Sequence, residues 1–277
     1  MLQDLESRAR LLDALGEIAA QAGFVIWDHF NGECAVEFKA DESPVTAADR
    51  AGEAVILAGL AKIAGDIPVV AEEEAAAGRI PDVASAFFLV DPLDGTKEFI
   101  KRGTDFTVNI GLIEDGLPSM GVVYAPARST LYWGDVRAGT AFRADQPPHG
   151  ARGATQPIAV RPPADPLCAV ASKSHNTPET EAWLTAAGVG ERVSVGSSLK
   201  FVLVASGEAD VYPRPAPTME WDTAAGDAIL RAAGGRVFDM EGAPMVYGKE
   251  RFFNPGFVAT GAYEPAPLRP FMEAAAS

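Results

Sequence analysis

The chain has 277 residues, of which 48% are apolar and 22% charged, so it is long enough to fold around one large core or two modest ones. A net charge of −15 argues against nonspecific binding to nucleic acid or to an anionic membrane surface, and no apolar run approaches the roughly 20 residues that span a bilayer. The two cysteines, Cys34 and Cys168, are too few for a disulfide scaffold and fit a reducing compartment.

The N-terminal region predicts two helices and no signal peptide. The first residues are acidic and lack the apolar segment of a signal peptide, so we expect a cytoplasmic protein without an integral membrane segment, with peripheral membrane association left open. Apolar residues recur at helical spacing over 5–30 and predict the first helix. Thr46 and Asp49 form a potential capping box for a second helix that runs to about Ala64.

Strand patterns follow the second helix. Apolar runs and turn signals predict strands over 67–71, 86–91, 106–113, 120–124, 131–133 and 140–142. The run over 86–91 should stop at Pro92, because proline cannot donate to a strand ladder. The turn signal Glu114-Asp115-Gly116 makes the next two strands a β-hairpin. Residues 1–145 therefore predict an N-terminal α+β half.

The remainder of the chain predicts a connection and an alternating second half. Residues 146–166 are rich in Pro, Gly and Ala and are expected to connect the halves. Strands and helices then alternate through 167–277, which indicates a C-terminal α/β half. The predicted strands cover 167–171, 192–195, 209–212, 236–238 and 257–260, and the predicted helices cover 177–187, 198–206, 222–233 and 266–275. The two halves are expected to act as one catalytic unit.

The stretch Asp91-Pro92-Leu93-Asp94-Gly95-Thr96 carries the strongest chemical signal. Two carboxylates close together after a rigid strand repel each other unless a cation lies between them. Mg²⁺ prefers such hard oxygen ligands, and the Leu93 carbonyl could add another. Gly95 permits close approach of the backbone to a ligand, so its N–H groups could bind an oxyanion. An ordinary turn is an equal alternative for this stretch taken alone.

The other acidic residues indicate a metal site only when they are considered together. Glu72-Glu73-Glu74 follows a strand and could be an exposed loop, and both Asp49 and Asp222 could be simple helix caps. Placed at the end of neighbouring elements, however, they could add carboxylates to the same ion. The set favours a metal site joined to a phosphate site.

Two motifs together resemble a known family. Asp91–Thr96, with Trp221-Asp222-Thr223-Ala224-Ala225-Gly226, is similar to the inositol monophosphatase superfamily of Mg²⁺-dependent, lithium-sensitive phosphatases, and the resemblance extends from Lys39 to Phe257. It implies a layered αβαβα sandwich of the sugar-phosphatase type. Finer features resemble the CysQ-type 3'(2'),5'-bisphosphate nucleotidases, which remove the 3'-phosphate of adenosine 3',5'-bisphosphate. These are residues 39–41, 43–46, 97–102, 196–201, 212–214 and 254–257.

The resemblance implies a role for each matched position. Two or three Mg²⁺ ions, with inhibition by Li⁺, are expected on Glu72, Asp91, the Leu93 carbonyl, Asp94 and Asp222. Thr96 paired with Asp49 would orient and activate the attacking water, and Glu73 would assist. Substrate contacts are expected from Glu72, Leu93, Asp94, Gly95, Thr96, His175, Ser197, Lys200, Arg214 and Asp222. Ala71 departs from the family, which usually has Gly or Ser there; because Ala71 carries no ligand, we attach no weight to the change.

The net charge of −15 would repel an anionic substrate, so local basic residues would be needed to bind one. Lys173, His175, Lys200 and Arg214 lie near strand or helix ends of the second half, where they could reverse the local field. The alternative is that Lys200 is a solvated helix residue and His175 a polar loop residue. A small-molecule phosphate is the expected partner, nucleic acid is not, and a homodimer is an open prospect.

Three rival functions remain open at this point. The first keeps the fold and makes the protein a phosphatase of inositol 1-phosphate or a related sugar phosphate. The second is a phosphatase with an aspartyl nucleophile, but such enzymes separate their two aspartates by one residue, whereas Asp91 and Asp94 are separated by two. The third is a non-catalytic protein that binds Mg²⁺ or a nucleotide.

Overall fold

The computed structural model describes residues 4–32, 36–38, 44–171 and 177–276. Its α-helices are α1 Leu5–Asn31, α2 Ala47–Ala64, α3 Glu72–Ala76, α4 Thr96–Ile100, α5 Pro178–Ala186, α6 Leu199–Ala205, α7 Ala224–Ala232 and α8 Arg269–Ala276. Short 3₁₀ turns cover Pro126–Arg128, Glu220–Asp222 and Glu250–Phe252. Within the described ranges, no helix combines the length and apolar character needed to cross a membrane.

The strands cover most of the predicted positions. They are β1 Val36–Phe38, β2 Pro44–Thr46, β3 Val69–Ala71, β4 Ala86–Asp94, β5 Thr107–Glu114, β6 Leu117–Ala125, β7 Thr130–Asp135, β8 Thr140–Asp145, β9 Gln156–Ile158, β10 Leu167–Ala171, β11 Val189–Ser194, β12 Val211–Arg214, β13 Thr218–Met219, β14 Arg236–Asp239, β15 Phe253–Asn254 and β16 Phe257–Thr260. The predicted hairpin is confirmed, because β5 and β6 pair antiparallel on either side of a tight turn.

Two large sheets organise the molecule. The first sheet has the order β3-β4-β5-β6-β7-β8-β9 and is antiparallel except for the parallel pair β3 and β4. The second sheet has the order β11-β10-β12-β16-β14, in which β10 is parallel to both neighbours and β16 is antiparallel to both of its own. The small pairs β1–β2 and β13–β15 lie outside these sheets.

Three buried apolar clusters hold the layers together. One packs α1 and α2 on the outer face of the first sheet. A second fills the space between the two sheets around α6 and α7. The third packs α5 and α8 on the far face of the second sheet. Helices and sheets therefore alternate in five layers, which confirms the predicted αβαβα sandwich.

Helix α7 packs against a row of three glycines on the first sheet. Gly111, Gly121 and Gly134 are paired with one another across β5, β6 and β7. A Cβ atom on Gly121 would lie 2.1 Å from the carbonyl oxygen of Ala225, and one on Gly134 would lie 2.9 Å from the Cβ of Ala232. Glycine in a strand permits such close approach of another backbone. The missing side chains therefore set how closely α7 packs on the sheet.

The two predicted N-terminal helices are confirmed, and each begins with a side-chain cap. Asp4 accepts a hydrogen bond from the Ser7 N–H (2.8 Å) at the start of α1. Thr46 and Asp49 form the predicted capping box at the start of α2. Each cap satisfies N–H groups that have no partner inside the helix.

The predicted end of a strand at Pro92 is wrong. Strand β4 continues to Asp94, and its register to β5 shifts between Asp91, which pairs with Asn109, and Asp94, which pairs with Thr107. The shift accommodates one extra residue, as a bulge does, so the missing N–H of proline breaks no ladder. The bulge lies between the two aspartates of the motif.

Three other local expectations need correction. Residues 146–166 are not only a connection, because β9 lies within them and pairs with β8 as the last strand of the first sheet. The alternative of an exposed loop for residues 72–74 does not hold, because these glutamates begin the short helix α3. Asp222 ends a 3₁₀ turn that precedes α7, whereas the sequence predicted one helix over 222–233.

Candidate active site

Four carboxylates from three separate elements influence one another electrostatically. Glu72 is the first residue of α3, Asp91 and Asp94 end β4, and Asp222 precedes α7. Burial raises the pKa of Asp91 well above its usual value, and the charges of Glu72, Asp94 and Asp222 raise it further. Burial and the charges of Asp94 and Glu72 likewise raise the pKa of Asp222. These side chains therefore share one electrostatic environment.

The chemistry of this donor set fits magnesium. Carboxylate and carbonyl oxygens are the hard ligands that Mg²⁺ prefers, and a cation would relieve the mutual repulsion of the carboxylates. No three His, Cys, Asp or Glu side chains within the described ranges converge as a ready-made ligand cluster. Mg²⁺ does not require one, because it is usually held by one or two carboxylates and completed by water and substrate phosphates.

Residues 91–96 form hydrogen bonds with one another. The Leu93 N–H donates to Asp91 Oδ1 (2.9 Å), and the Thr96 hydroxyl lies 3.1 Å from the Leu93 carbonyl oxygen. Gly95, between them, has φ +97°, and a Cβ there would lie 2.7 Å from the carbonyl oxygen of Asp105. A residue with a side chain is excluded at this point by both conformation and space.

Thr96 also contacts Asp49 from α2. The Thr96 hydroxyl lies 3.1 Å from Asp49 Oδ1, while Asp49 Oδ2 accepts the Thr46 N–H (2.8 Å) and the Thr46 hydroxyl (2.7 Å). Burial raises the pKa of Asp49, and the hydrogen bonds from Thr46 and Thr96 oppose that rise. The predicted pair of Thr96 and Asp49 is thus brought together, with Asp49 fixed from its other side.

Asp94 links the acidic motif to the second half. Burial raises its pKa, and Lys200, the Ser198 N–H, the Asn109 side chain and Arg214 oppose this rise. Asn109 also accepts the Ser198 hydroxyl at 2.7 Å. Lys200 and Arg214 of the second half therefore lie close enough to Asp94 to influence its charge.

A chain of hydroxyls fixes the start of α6. Thr107 Oγ1 lies 2.9 Å from Ser197 Oγ and 2.8 Å from Ser198 Oγ. Asp105 accepts the Gly196 N–H (2.9 Å) with one oxygen and Arg128 Nη2 (2.6 Å) with the other. These contacts attach residues 196–198 to the first half of the molecule.

The two candidate substrate cations differ in exposure. Lys200 is buried, at 6% exposure, and its Nζ donates to the Ser197 carbonyl oxygen at 2.7 Å. Burial lowers its pKa to about 8, and Asp94 partly opposes that effect. Arg214 is half-buried, and its Nε donates to the Ala216 carbonyl oxygen at 3.2 Å. Lys200 is therefore not a solvated helix residue.

Some sequence candidates lie outside the described residues. These are Cys34, the segment around Lys39, Lys173 and His175. Cys168 is a buried free thiol of β10. Burial raises the pKa of this thiol, which makes it a poor nucleophile.

The sequence analysis missed several buried polar residues, of which Glu53 is the clearest. Glu53 Oε2 accepts the Glu73 N–H (2.8 Å) and Oε1 accepts the Glu74 N–H (3.1 Å). Burial raises the pKa of Glu53 to about 7, with the charges of Glu73 and Glu74 contributing. A signal was present, because Glu53 falls at helical spacing in the same buried stripe as Ile56 and Leu60.

This fold and cleft define a class of enzyme. A layered sandwich with hard oxygen donors facing cations suits phosphate-ester hydrolysis assisted by metal ions. A sequence profile described as the inositol monophosphatase family matches residues 7–264. The chain belongs to this family.

Individual relatives are similar over almost their whole length. The chain is 45% identical over 253 residues to the 3'(2'),5'-bisphosphate nucleotidase CysQ of Salmonella typhimurium, covering 90% of this chain and 99% of that protein. The crystal structure of CysQ from Bacteroides thetaiotaomicron has a TM-score of 0.77 and 38% identity, covering 92% of this chain and 98% of that one. An inositol monophosphatase from Anabaena (TM-score 0.73, 26% identity) covers 96% of each chain.

Proposed function

We propose that the protein is a Mg²⁺-dependent 3'(2'),5'-bisphosphate nucleotidase that converts adenosine 3',5'-bisphosphate, or its sulfated analogue, to the 5'-phosphate product and phosphate. The observation that carries this proposal is a set of four interacting carboxylates, of which Asp94 is influenced by the charges of both Lys200 and Arg214. Acidic ligands alone would suit many phosphate esters. The two cations favour a substrate with a second anionic group.

The metal side of the proposal assigns Glu72, Asp91, the Leu93 carbonyl, Asp94 and Asp222 as ligands. When bound, two or three Mg²⁺ ions would neutralise the phosphate, favour ionisation of water and stabilise the leaving oxygen. The mutual elevation of the carboxylate pKa values supports the assignment, because the same charges that repel each other would bind a dication. Li⁺ is expected to inhibit by competing at this site.

The chain itself would direct the water. The Thr96 hydroxyl donates towards Asp49, which leaves its oxygen lone pairs available to accept a hydrogen bond from the attacking water. Water then attacks phosphorus, the bond to the 3'-oxygen breaks, and that oxygen takes up a proton. Glu73, beside Glu72, is placed to assist. No covalent enzyme intermediate is required.

The second half would hold the nucleotide. Ser197, Lys200 and Arg214 are proposed to bind the phosphate that is not cleaved, and His175 to lie close to it. Gly95 and Thr96 would bind the reacting phosphate through their N–H groups. A buried cation gives a charge-assisted hydrogen bond of greater strength than an exposed one.

A phosphate-release assay tests the substrate. We expect Mg²⁺-dependent release from adenosine 3',5'-bisphosphate to exceed release from inositol 1-phosphate, and Li⁺ to reduce it. Preference for inositol 1-phosphate would favour the sugar-phosphatase alternative. Tight nucleotide binding without release would show a binding protein instead.

Replacement of Thr96 tests the water-directing role. Thr96→Val keeps the shape of the side chain but removes the hydroxyl, so we expect kcat to fall by about 10²-fold, within the range for a lost acid–base group. The Thr96→Ser variant, which keeps the hydroxyl, is the matched control and should retain most of the activity. Equal activity of the Val and Ser variants would contradict this role.

A further inference from the structure

Helix α3 starts without a capping side chain of its own. Its N-cap residue is Ala71, whose backbone is extended and whose side chain makes no cap hydrogen bond. An N-cap Ser or Thr would accept a hydrogen bond from the second or third N–H of the helix. In α3 those groups belong to Glu73 and Glu74.

Glu53 supplies the missing acceptor from a different helix. Both oxygens of its carboxylate are used, one on the Glu73 N–H (2.8 Å) and one on the Glu74 N–H (3.1 Å). Glu53 lies one turn after Asp49 on the buried face of α2 and is 4% exposed. Two parallel bonds from one rigid group fix the orientation of the first turn of α3 as well as its position.

Helix α3 depends on such an anchor. It has five residues, none of which is fully buried, although Ala75 packs against the apolar cluster between the sheets, so its length and packing give it little stability. Its first residue is Glu72, the proposed metal ligand. A change in the direction of this single turn would move the Glu72 carboxylate relative to Asp91.

On the basis of the function proposed above, we propose that Glu53 is a positioning residue for the metal site, which holds Glu72 and Glu73 in place by capping α3 in trans. It replaces the cap that Ala71 cannot provide. A carboxylate suits this role better than an amide, because both of its oxygens accept hydrogen bonds. The group is buried beside the acidic Glu73 and Glu74, so its retention there has an energetic cost that the two hydrogen bonds offset in part.

Magnesium binding measured by calorimetry tests the proposal directly. Glu53→Gln keeps the size of the side chain but leaves one backbone N–H facing an amide donor. We expect the dissociation constant for Mg²⁺ to rise at least about tenfold, as is typical when a residue supporting a metal ligand is changed. At saturating Mg²⁺, the KM for adenosine 3',5'-bisphosphate should change little.

A second substitution should reverse this loss. Ala71→Ser in the Glu53→Gln background provides a local cap for the same N–H groups, so most of the Mg²⁺ affinity should return. Rescue would show that Glu53 acts through the backbone of α3 and not as a ligand. Failure of rescue, with the double variant folded, would overturn the capping role.

Glu74→Gln is the matched control. The substitution removes the charge of the Glu74 side chain, which pairs with Arg79. It leaves the Glu74 N–H intact. Mg²⁺ affinity should stay near that of the parent protein; a loss equal to that of Glu53→Gln would show a general charge effect and overturn the proposal. Unchanged affinity in Glu53→Gln would do so as well.

Two further outcomes can be distinguished from a failure of the proposed role of Glu53. If Glu53→Gln does not fold, the same titration on Glu53→Asp decides, because this variant keeps the charge and shortens its reach; unchanged Mg²⁺ affinity would then contradict positioning. If the parent protein itself shows no Mg²⁺-dependent phosphate release, the proposed function fails rather than the role of Glu53.

Discussion

Charged residues are held in different ways at the cleft and on the opposite side of the first sheet. At the cleft, Asp91, Asp222 and Lys200 are oriented by backbone groups, namely the Leu93 N–H, the Met219 N–H and the Ser197 carbonyl. A neutral partner fixes the direction of a side chain without cancelling its charge. The charge then remains available for a ligand.

Arg8 of α1 shows the contrasting arrangement. It is 1% exposed and donates to both oxygens of Asp135 (2.9 and 2.8 Å), to Glu114 (2.8 Å) and to the Ser119 hydroxyl (2.7 Å). Its charge is paired with the carboxylates of Asp135 and Glu114, whose own charges it neutralises. This region stabilises the fold, whereas the cleft retains charge for chemistry, and substitutions should separate these two effects.

The largest effect is expected at Asp94. Asp94→Asn should lower kcat at least about 10³-fold, equivalent to about 4 kcal/mol of transition-state stabilisation, because it removes a proposed metal ligand. The free energy of unfolding should be unchanged or higher, because repulsion among the four carboxylates is relieved. Steady-state kinetics and urea unfolding measure the two quantities.

Asp82→Asn, in an exposed loop, is the control for Asp94 and should affect neither quantity. Wild-type activity in Asp94→Asn would show that the metal assignment is wrong.

Arg8→Met should give the opposite result. It leaves Asp135 and Glu114 without their buried cation, so we expect the free energy of unfolding to fall by about 3–4 kcal/mol. The kcat of the folded enzyme should stay close to that of the parent protein. A large loss of kcat with unchanged stability would contradict the division between the two regions.

Stability of the metal-free protein should depend on Glu53 and pH. Its pKa is about 7 in the folded state against 4.5 for the free side chain, so ionisation costs stability above pH 7. As the pH falls from about 7 to about 4.5, the folded state takes up the proton first, and stability should rise by up to about 3 kcal/mol. Urea unfolding in chelator, compared between the parent protein and Glu53→Gln, measures this slope.

The buried aspartates of the cleft have pKa shifts of the same sign, so part of the slope will persist in Glu53→Gln. An identical slope in both proteins would be inconsistent with the raised pKa of Glu53.

The smallest effect is expected on the cationic side. Lys200→Met should raise the KM for adenosine 3',5'-bisphosphate about tenfold, equivalent to about 1.4 kcal/mol, because it removes the proposed charge-assisted hydrogen bond to the second phosphate. The KM for inositol 1-phosphate, which has no second phosphate, should change less. Lys62→Met, at an exposed position of α2, is the control. Equal effects on both substrates would remove Lys200 from the specificity site.

Much of the framework follows from local sequence signals. The capping box of Thr46 and Asp49 and the hairpin around Asp115 depend on neighbours in the chain, and the structure confirms both. The motif from Asp91 to Thr96 and its partner at Asp222 are also short enough to be recognised directly. Their joint position in one cleft depends on the resemblance of the two motifs to a known family.

The missed features depend on contacts between distant segments. Pro92 continues a strand because a bulge opposite Val108 absorbs it, and β9 forms because β8 offers an edge to a Pro-rich segment. Asp105 and Ser198 are polar residues whose partners lie about 90 positions away, so no local pattern marks them. Glu53 and Arg8 did carry a usable signal, as charged residues within apolar helical stripes.

The glycine row beneath α7 has a consequence for how variants of this enzyme should be interpreted. Gly111, Gly121 and Gly134 lie beneath α7, and Asp222 ends the 3₁₀ turn immediately before that helix, so the packing depth of α7 is linked through the chain to the position of Asp222. One added methyl group at any of these glycines is expected to shift α7, and with it Asp222 relative to Asp91 and Asp94. Such a substitution would be classed as a core variant by its location, although its symptom would be an increased requirement for magnesium.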